Sequence, residues 1–389
     1  MPMMTSKERF LAALEGNIPD RLPVTTHHIQ PYFLNKYMNG MSIDGFFDHF
    51  GLDPILWLVP HKPDESKGHY YDPTQGEPGF LEYRRICSDE WRIECEDIPD
   101  PEYKTTRFKF VTPKKTLTEV LQAAEHTTWV TERMIKEKSD IDIIAQYAPA
   151  PLCDTDEVNC QAEQYGSRGL VRGMIPGFDV YGQSGCWQDA AVLFGIEDLI
   201  MQTFHDPEWV HTFLKTLFRR KVPFLKTCHG AKFDILEHGG GDASSSVISP
   251  NIFDTFVAPY DAELTDLAHQ AGQRVVYHTC GGMMPILENI VAIHPDAMET
   301  FTPHSMGGDT DLVEAKNRVG DKVCMIGGFD QYYRFNNCTE AETRQTVREC
   351  FDAAGEGGGF ILAPSDHFFD AEPKLIKAFA DEARSCTYN

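Results

Sequence analysis

The sequence predicts an α/β chain folded as a (β/α)8 TIM-type barrel with an N-terminal helical and β-hairpin extension. Three observations carry this. From about residue 115, helical patterns alternate with short apolar runs, the rhythm of parallel strands joined by crossover helices. The repeats are too many for a doubly wound nucleotide-binding domain, and no glycine-rich phosphate loop follows the first strand. The predicted strand ends are polar or rich in glycine, as in a fold whose βα loops carry the chemistry. At 389 residues the chain is long for one compact domain but within the range of one barrel, and 1–389 reads as a single domain.

In chain order, Thr5 with Glu8 makes a capping box for a short opening helix that carries Phe10, Leu11 and Leu14 at helical spacing before Gly16 closes it. Leu22, Pro23 and Val24 then lead into Thr25, Thr26, His27 and His28, a strand whose end presents polar side chains. Residues 60–115 are rich in Pro, Asp, Glu and aromatics with loose alternation, and read as β-hairpins inserted ahead of the main repeat. The repeat itself predicts strands at 170–176, 233–237, 274–278, 297–300, 323–326 and 359–363. Helices are predicted at 196–204 running into 209–225, and at 252–271, 284–292, 312–319, 340–354 and 373–384.

With 42% hydrophobic and 24% charged residues and no low-complexity tract, the chain can bury a large core. Its net charge of −24 argues against nucleic acid, because a phosphate backbone needs Lys and Arg to replace its counterions. Anionic membranes are disfavoured for the same reason. No window reaches the roughly 18 apolar residues of a spanning helix, and the first residues lack the apolar core of a signal peptide. A cytoplasmic location is therefore expected. Eleven cysteines, an odd count and mostly scattered, suit reduced thiols, so no disulfides are expected.

The most informative stretch runs from Arg274 to Gly282, an apolar β-branched run ending in His278-Thr279-Cys280. In a strand, residues i and i+2 point the same way, so the His278 imidazole and the Cys280 sulfur form half of a tetrahedral zinc site. A buried histidine bonded to a carbonyl beside a core cysteine is the structural alternative. Other strand ends read Glu237-His238-Gly239-Gly240-Gly241-Asp242, Glu299-Thr300, Gly327-Gly328-Phe329-Asp330 and Pro364-Ser365-Asp366-His367. Acidic, thiol and imidazole groups would thus face one mouth. The glycines there allow close approach to a ligand or serve as plain turn residues.

Thr5 to Gly16, followed by Pro19-Asp20-Arg21-Leu22-Pro23-Val24, resembles the start of the uroporphyrinogen decarboxylase superfamily. So do Ile248-Ser249-Pro250, the run from Cys324 to Asp330, and the run from Gly358 to Ser365. The resemblance spans nearly the whole chain and implies a distorted (β/α)8 barrel. Decarboxylases of that superfamily set paired arginines after the first strand, whereas this chain reads Thr26-His27-His28-Ile29-Gln30-Pro31-Tyr32, without an arginine. A polyanionic porphyrinogen would find no guanidinium clamp there. The other branch, zinc- and corrinoid-dependent methyltransferases, is similar through its His-X-Cys element, matched by His278 and Cys280. Its later cysteine falls where this chain has Asp366, which the resemblance implies as a third zinc ligand, with His367 as competitor.

Exchanging a thiolate for a carboxylate makes the ligand set harder and favours oxygen ligands. The resemblance then implies zinc acting on a methoxylated, aromatic substrate while the Co(I) corrinoid of a separate partner protein accepts the methyl group. Glu237 would be a fourth metal ligand or catalytic, or would orient His278, with Asp242 as the next choice for ligation. His27 and His28 would bind substrate oxygens or give a proton to the leaving group, unless they are surface histidines. Tyr181 and Phe329, with Asp330 beside the latter, would wall the substrate, unless the two rings only pack. Expected partners are the corrinoid protein and a small-molecule methyl donor, with a homodimer compatible. The alternatives are a methylcobalamin:thiol methyltransferase of the coenzyme M type and a metal-free decarboxylase-like lyase.

Overall fold

Seven parallel strands, hydrogen-bonded to one another in chain order, form the centre of the protein. They are Ile55–Leu58, Leu170–Met174, Ile235–Gly239, Val275–His278, Ala297–Thr300, Cys324–Phe329 and Phe360–Pro364. The computed structural model describes residues 3–58, 61–71, 85–178 and 184–388. The ring closes through Val24, which makes a parallel bridge to Leu362 on one side while its carbonyl accepts from Asp53 N at 2.7 Å on the other. The eighth strand position is therefore a single bridge. Pro23 has no N–H to give to a ladder, and Val24 N donates to the Asp53 side chain at 3.0 Å. The barrel is the one expected from the rhythm of the sequence.

The predicted strands recur with ends shifted by up to three residues, the largest at 323–326, observed as Cys324–Phe329. The short strand Ile55–Leu58, enclosed by Asp53-Pro54 and not among the predicted ones, adds Trp57 to the barrel. The helix predicted over 252–271 begins with a wide π turn, Phe253–Val257, before the regular helix Ala258–Gln270. Pro259 accounts for it, since it cannot donate to the preceding turn. The segment 284–292 forms a 3₁₀ turn followed by the short helix Leu287–Val291.

The β excursion extends further than 115. Strands Arg92–Ile98, Lys104–Val111, Thr116–Ala123 and Thr128–Glu132 form an antiparallel meander. Thr116–Ala123 contains the helix formers Leu, Glu, Gln and Ala, but pairing with Lys104–Val111 along its whole length overrides that preference.

The opening helix Ser6–Leu14 has the expected capping box, Thr5 and Glu8 each bonding the other's backbone N–H. Its Phe10, Ala13 and Leu14 pack in one cluster with Ile55, Leu170, Ile235, Val276, Ala297 and Ile361. These residues lie at the strand beginnings, so the helix plugs that end of the barrel. Arg9 fixes the plug, with Nη1 2.6 Å from Asp53 Oδ1 and Nε 2.7 Å from Asp20 Oδ1. All eleven cysteines are free. No helix of the described residues is long and apolar enough to cross a membrane.

Candidate metal centre at the second barrel layer

The apolar plug layer has a second layer above it. Two residues beyond Ile55, Leu170, Ile235, Val276 and Ala297, on the same strand faces, stand Trp57, Arg172, Glu237, His278 and Glu299. Thr25 and His27 continue the pattern on the closing segment, where both line the interior space along with Arg172 and Glu299. Alternation sends the intervening residues outward. His238 meets Thr265 Oγ1 at 2.8 Å, and the Tyr277 hydroxyl donates to Asp261 at 3.0 Å, both behind the sheet.

Within this layer His27, Glu237, His278 and Glu299, all buried, bring one nitrogen or oxygen atom each to within 4.8 Å of one another. His278 and Glu299 are register partners on adjacent strands, with Nδ1 2.7 Å from Oε1. The same Nδ1 lies 3.8 Å from Glu237 Oε1. Arg172 ties the two carboxylates together. Its Nη1 donates to Glu299 Oε2 at 2.8 Å, its Nη2 donates to Glu237 Oε2 at 2.7 Å, and Nη2 also contacts Glu299 Oε1. The guanidinium stacks on the Trp57 ring at 4.3 Å, and Trp57 Nε1 donates to the His27 carbonyl at 3.1 Å.

The electrostatics split the imidazoles. Burial holds His27 far below the usual histidine range, at about 3, so its 3.7 Å approach to Glu299 is the contact of a neutral ring. Burial also drives His28 down, with His27 adding to it. Burial works against charge on His278 too, but the Cys280 thiol, Glu299 and Glu237 outweigh it and raise its pKa well above the ordinary value. Burial opposes charge on Glu299, and Arg172 overcomes it, leaving that carboxyl well below its usual range. Rings continue from His278 toward the rim: His27 stacks 5.1 Å from His278, His28 lies 3.7 Å from His27, and His367 lies 6.4 Å from His28.

Of the residues singled out in the sequence, His27, Glu237 and His278 lie in the cluster. Cys280 does not. Its thiol nevertheless hydrogen-bonds the His278 imidazole, so the two side chains converge as strand alternation predicts, outside the set of four mutually close donors. Asp366 lies past the strand end, where its Oδ1 is 2.8 Å from His367 Nδ1 and its side chain is 40% exposed. Burial raises its pKa, and the His367 hydrogen bond more than reverses this, to about 2. Asp242 is engaged reciprocally with Gln188 at 2.9 Å.

Phe329 is fully buried between Phe335 and Phe379 and turned away from the cluster. Asp330 caps a helical turn, accepting from Tyr333 N at 2.9 Å and from Ser305 Oγ at 2.5 Å. Tyr181 lies outside the described residues. Gly239 and Gly327 serve the sheet. At φ +105° and +122°, a Cβ would sit 2.4 Å from the His278 carbonyl oxygen and 1.9 Å from that of Thr300.

Arg172 and Glu299 were not chosen as site residues from sequence, although each stands two places beyond an apolar residue within a predicted strand. In a barrel strand covered on both faces, a charged residue at that spacing is the available signal.

A family model described as uroporphyrinogen decarboxylase (URO-D) matches residues 174–386, more than half of the chain. The uroporphyrinogen decarboxylase of Colwellia psychrerythraea is 26% identical over 276 residues, covering 64% of this chain and 72% of that protein. A solved structure of a methyltransferase from Methanosarcina mazei superposes with a TM-score of 0.61 over 98% of each chain at 14% identity, a likeness of fold.

Proposed function

Because the chain belongs to the uroporphyrinogen decarboxylase family, we propose that it is a zinc-dependent methyltransferase of that superfamily. In this reading it takes a methyl group from a methoxylated aromatic compound and passes it to the Co(I) corrinoid of a separate partner protein. The observation that carries the reading is the convergence of His27, Glu237, His278 and Glu299 in the second barrel layer.

The donors fit the ion. Two imidazoles and two carboxylates are ligand types that zinc accepts; His27 is already neutral, as a ligand must be, and His278 would give up its proton on binding. With no thiolate among the four, the set is harder than His278, Cys280 and Asp366 would have made, which favours an ether oxygen over a thiol. Bound there, zinc would act as a Lewis acid on the ether oxygen and lower the basicity of the departing phenolate.

The chain's own groups do the rest. Arg172 holds Glu237 and Glu299 at fixed separation, and Trp57 holds Arg172 flat. His28, neutral and on the rim side of His27, is placed to hydrogen-bond the leaving oxygen as charge develops. The methyl carbon–oxygen bond would break with its electron pair left on oxygen, beside His28, and the acceptor corrinoid would supply the pair for the new bond to carbon. A decarboxylase reading is disfavoured because the Arg172 fork is taken up by Glu237 and Glu299 and has no face left for a substrate carboxylate.

The test is metal analysis of the purified chain, followed by incubation with a methoxyarene and free cob(I)alamin. Stoichiometric zinc and substrate-dependent loss of Co(I) absorbance are expected, with both abolished by His278→Ala. Absence of bound metal after loading with excess zinc, together with no demethylation, would overturn the reading.

A further inference from the structure

We propose that Arg172 is a positioning residue that sets which cation the barrel accepts, by denying both carboxylates a two-oxygen grip on an ion. This rests on the metal reading above. Arg172 is 2% exposed and directs both terminal nitrogens into the layer, taking Oε2 of Glu299 at 2.8 Å and Oε2 of Glu237 at 2.7 Å. The Oε1 atoms face His278 Nδ1 at 2.7 and 3.8 Å, and Nη2 also reaches Oε1 of Glu299. The guanidinium is planar and its fork is rigid, and stacking on Trp57 at 4.3 Å keeps it from swinging aside.

Glu237 is thus held with Oε2 committed to arginine and Oε1 turned toward the His278 imidazole, while Glu299 has both oxygens on the fork, Oε1 being shared with His278. Neither can clasp an ion with both oxygens. Cations that need many oxygen ligands, such as calcium and manganese, draw on bidentate carboxylates and waters, whereas zinc and cobalt accept few donors and favour imidazole. A buried positive charge beside the site also lowers affinity for every dication, so an ion binds only if its bonds to nitrogen make up the loss. Arg172 therefore selects imidazole-seeking, low-coordinate ions and rejects oxygen-seeking ones.

The experiment uses the full chain freed of metal, with zinc, cobalt and manganese as the probes. The wild type should bind cobalt with the intense visible absorption of a low-coordinate site and should prefer zinc to manganese strongly. Arg172→Lys keeps the charge but loses the fork, so the zinc-over-manganese preference should fall by about tenfold or more and the cobalt bands should weaken. A weak, six-coordinate cobalt spectrum in the wild type overturns the inference without reference to any variant. So does an unchanged preference in Arg172→Lys. Failure of the wild type to take up zinc or cobalt at all would instead remove the metal reading on which the inference stands.

Discussion

His278 and Glu299 face each other in register across adjacent parallel strands, the imidazole Nδ1 2.7 Å from the carboxylate Oε1. Arg172 holds the same carboxylate by both oxygens, so one buried anion answers two cations. Glu299→Gln removes that anion and leaves Arg172 and His278 facing Glu237 alone. Breaking a buried charge pair in this way costs about 3 to 5 kcal/mol. Urea denaturation of the metal-free variant should show a loss of that order, and equilibrium dialysis should show loss of zinc binding.

The barrel plug can be tested away from the charges. Phe10 is 1% exposed and fills the interior between Ile55 and Leu170. Phe10→Ala should lower stability by about 3 to 5 kcal/mol through lost burial and the void left behind. Thermal and urea unfolding would measure it, and a loss below about 1 kcal/mol would mean that the helix does not plug the barrel.

Gly239 and Gly272 offer a matched comparison. Both have positive φ, +105° and +81°, but a Cβ at Gly239 would lie 2.4 Å from the His278 carbonyl oxygen, whereas one at Gly272 meets nothing within 4 Å. Gly272→Ala should cost about 1 to 2 kcal/mol of backbone strain alone. Gly239→Ala should cost more and should also weaken zinc binding, because the clash falls on the strand that positions His278. Denaturation midpoints and dialysis on the two variants would separate strain from displacement.

A pH effect is expected where the His278 strand begins. Asp296 Oδ2 accepts from Val275 N at 2.7 Å and lies 3.0 Å from His269 Nε2, and the Asp296 hydrogen bond raises the His269 pKa despite partial burial. A raised folded-state pKa means that the contribution is fully present below the ordinary histidine value and is lost as pH rises through the folded-state value. The pair is about one-third exposed, so solvent screening keeps the effect under about 1 kcal/mol. His269→Gln should be less stable than wild type at pH 5.5 and equal to it at pH 9, as read from urea midpoints.

The barrel was legible because a strand covered on both faces must read as an apolar run and a crossover helix must show a stripe. Val275–His278 and Glu340–Ala354 do both plainly. The strand Ile55–Leu58 was not, being four residues long and directly preceded by proline. His27, Glu237 and His278 were visible at strand ends. Arg172 and Glu299 were overlooked because attention to local spacing pairs residues along one strand, while layers in a barrel form between strands and depend on register. Cys280 was legible by the other rule, since side chains two apart along a strand share a face and its thiol meets the His278 imidazole.

The Arg9-anchored helix blocks the floor, so among the described residues traffic to the four-donor cluster is left to the opposite end of the barrel, where the strands finish. On the proposed methyl transfer, a small donor and a bulky carrier that both use that end would take turns, the spent donor vacating before the carrier presents its cobalt. Steady-state kinetics should then show the parallel lines of a shuttle in which neither visitor waits for the other inside.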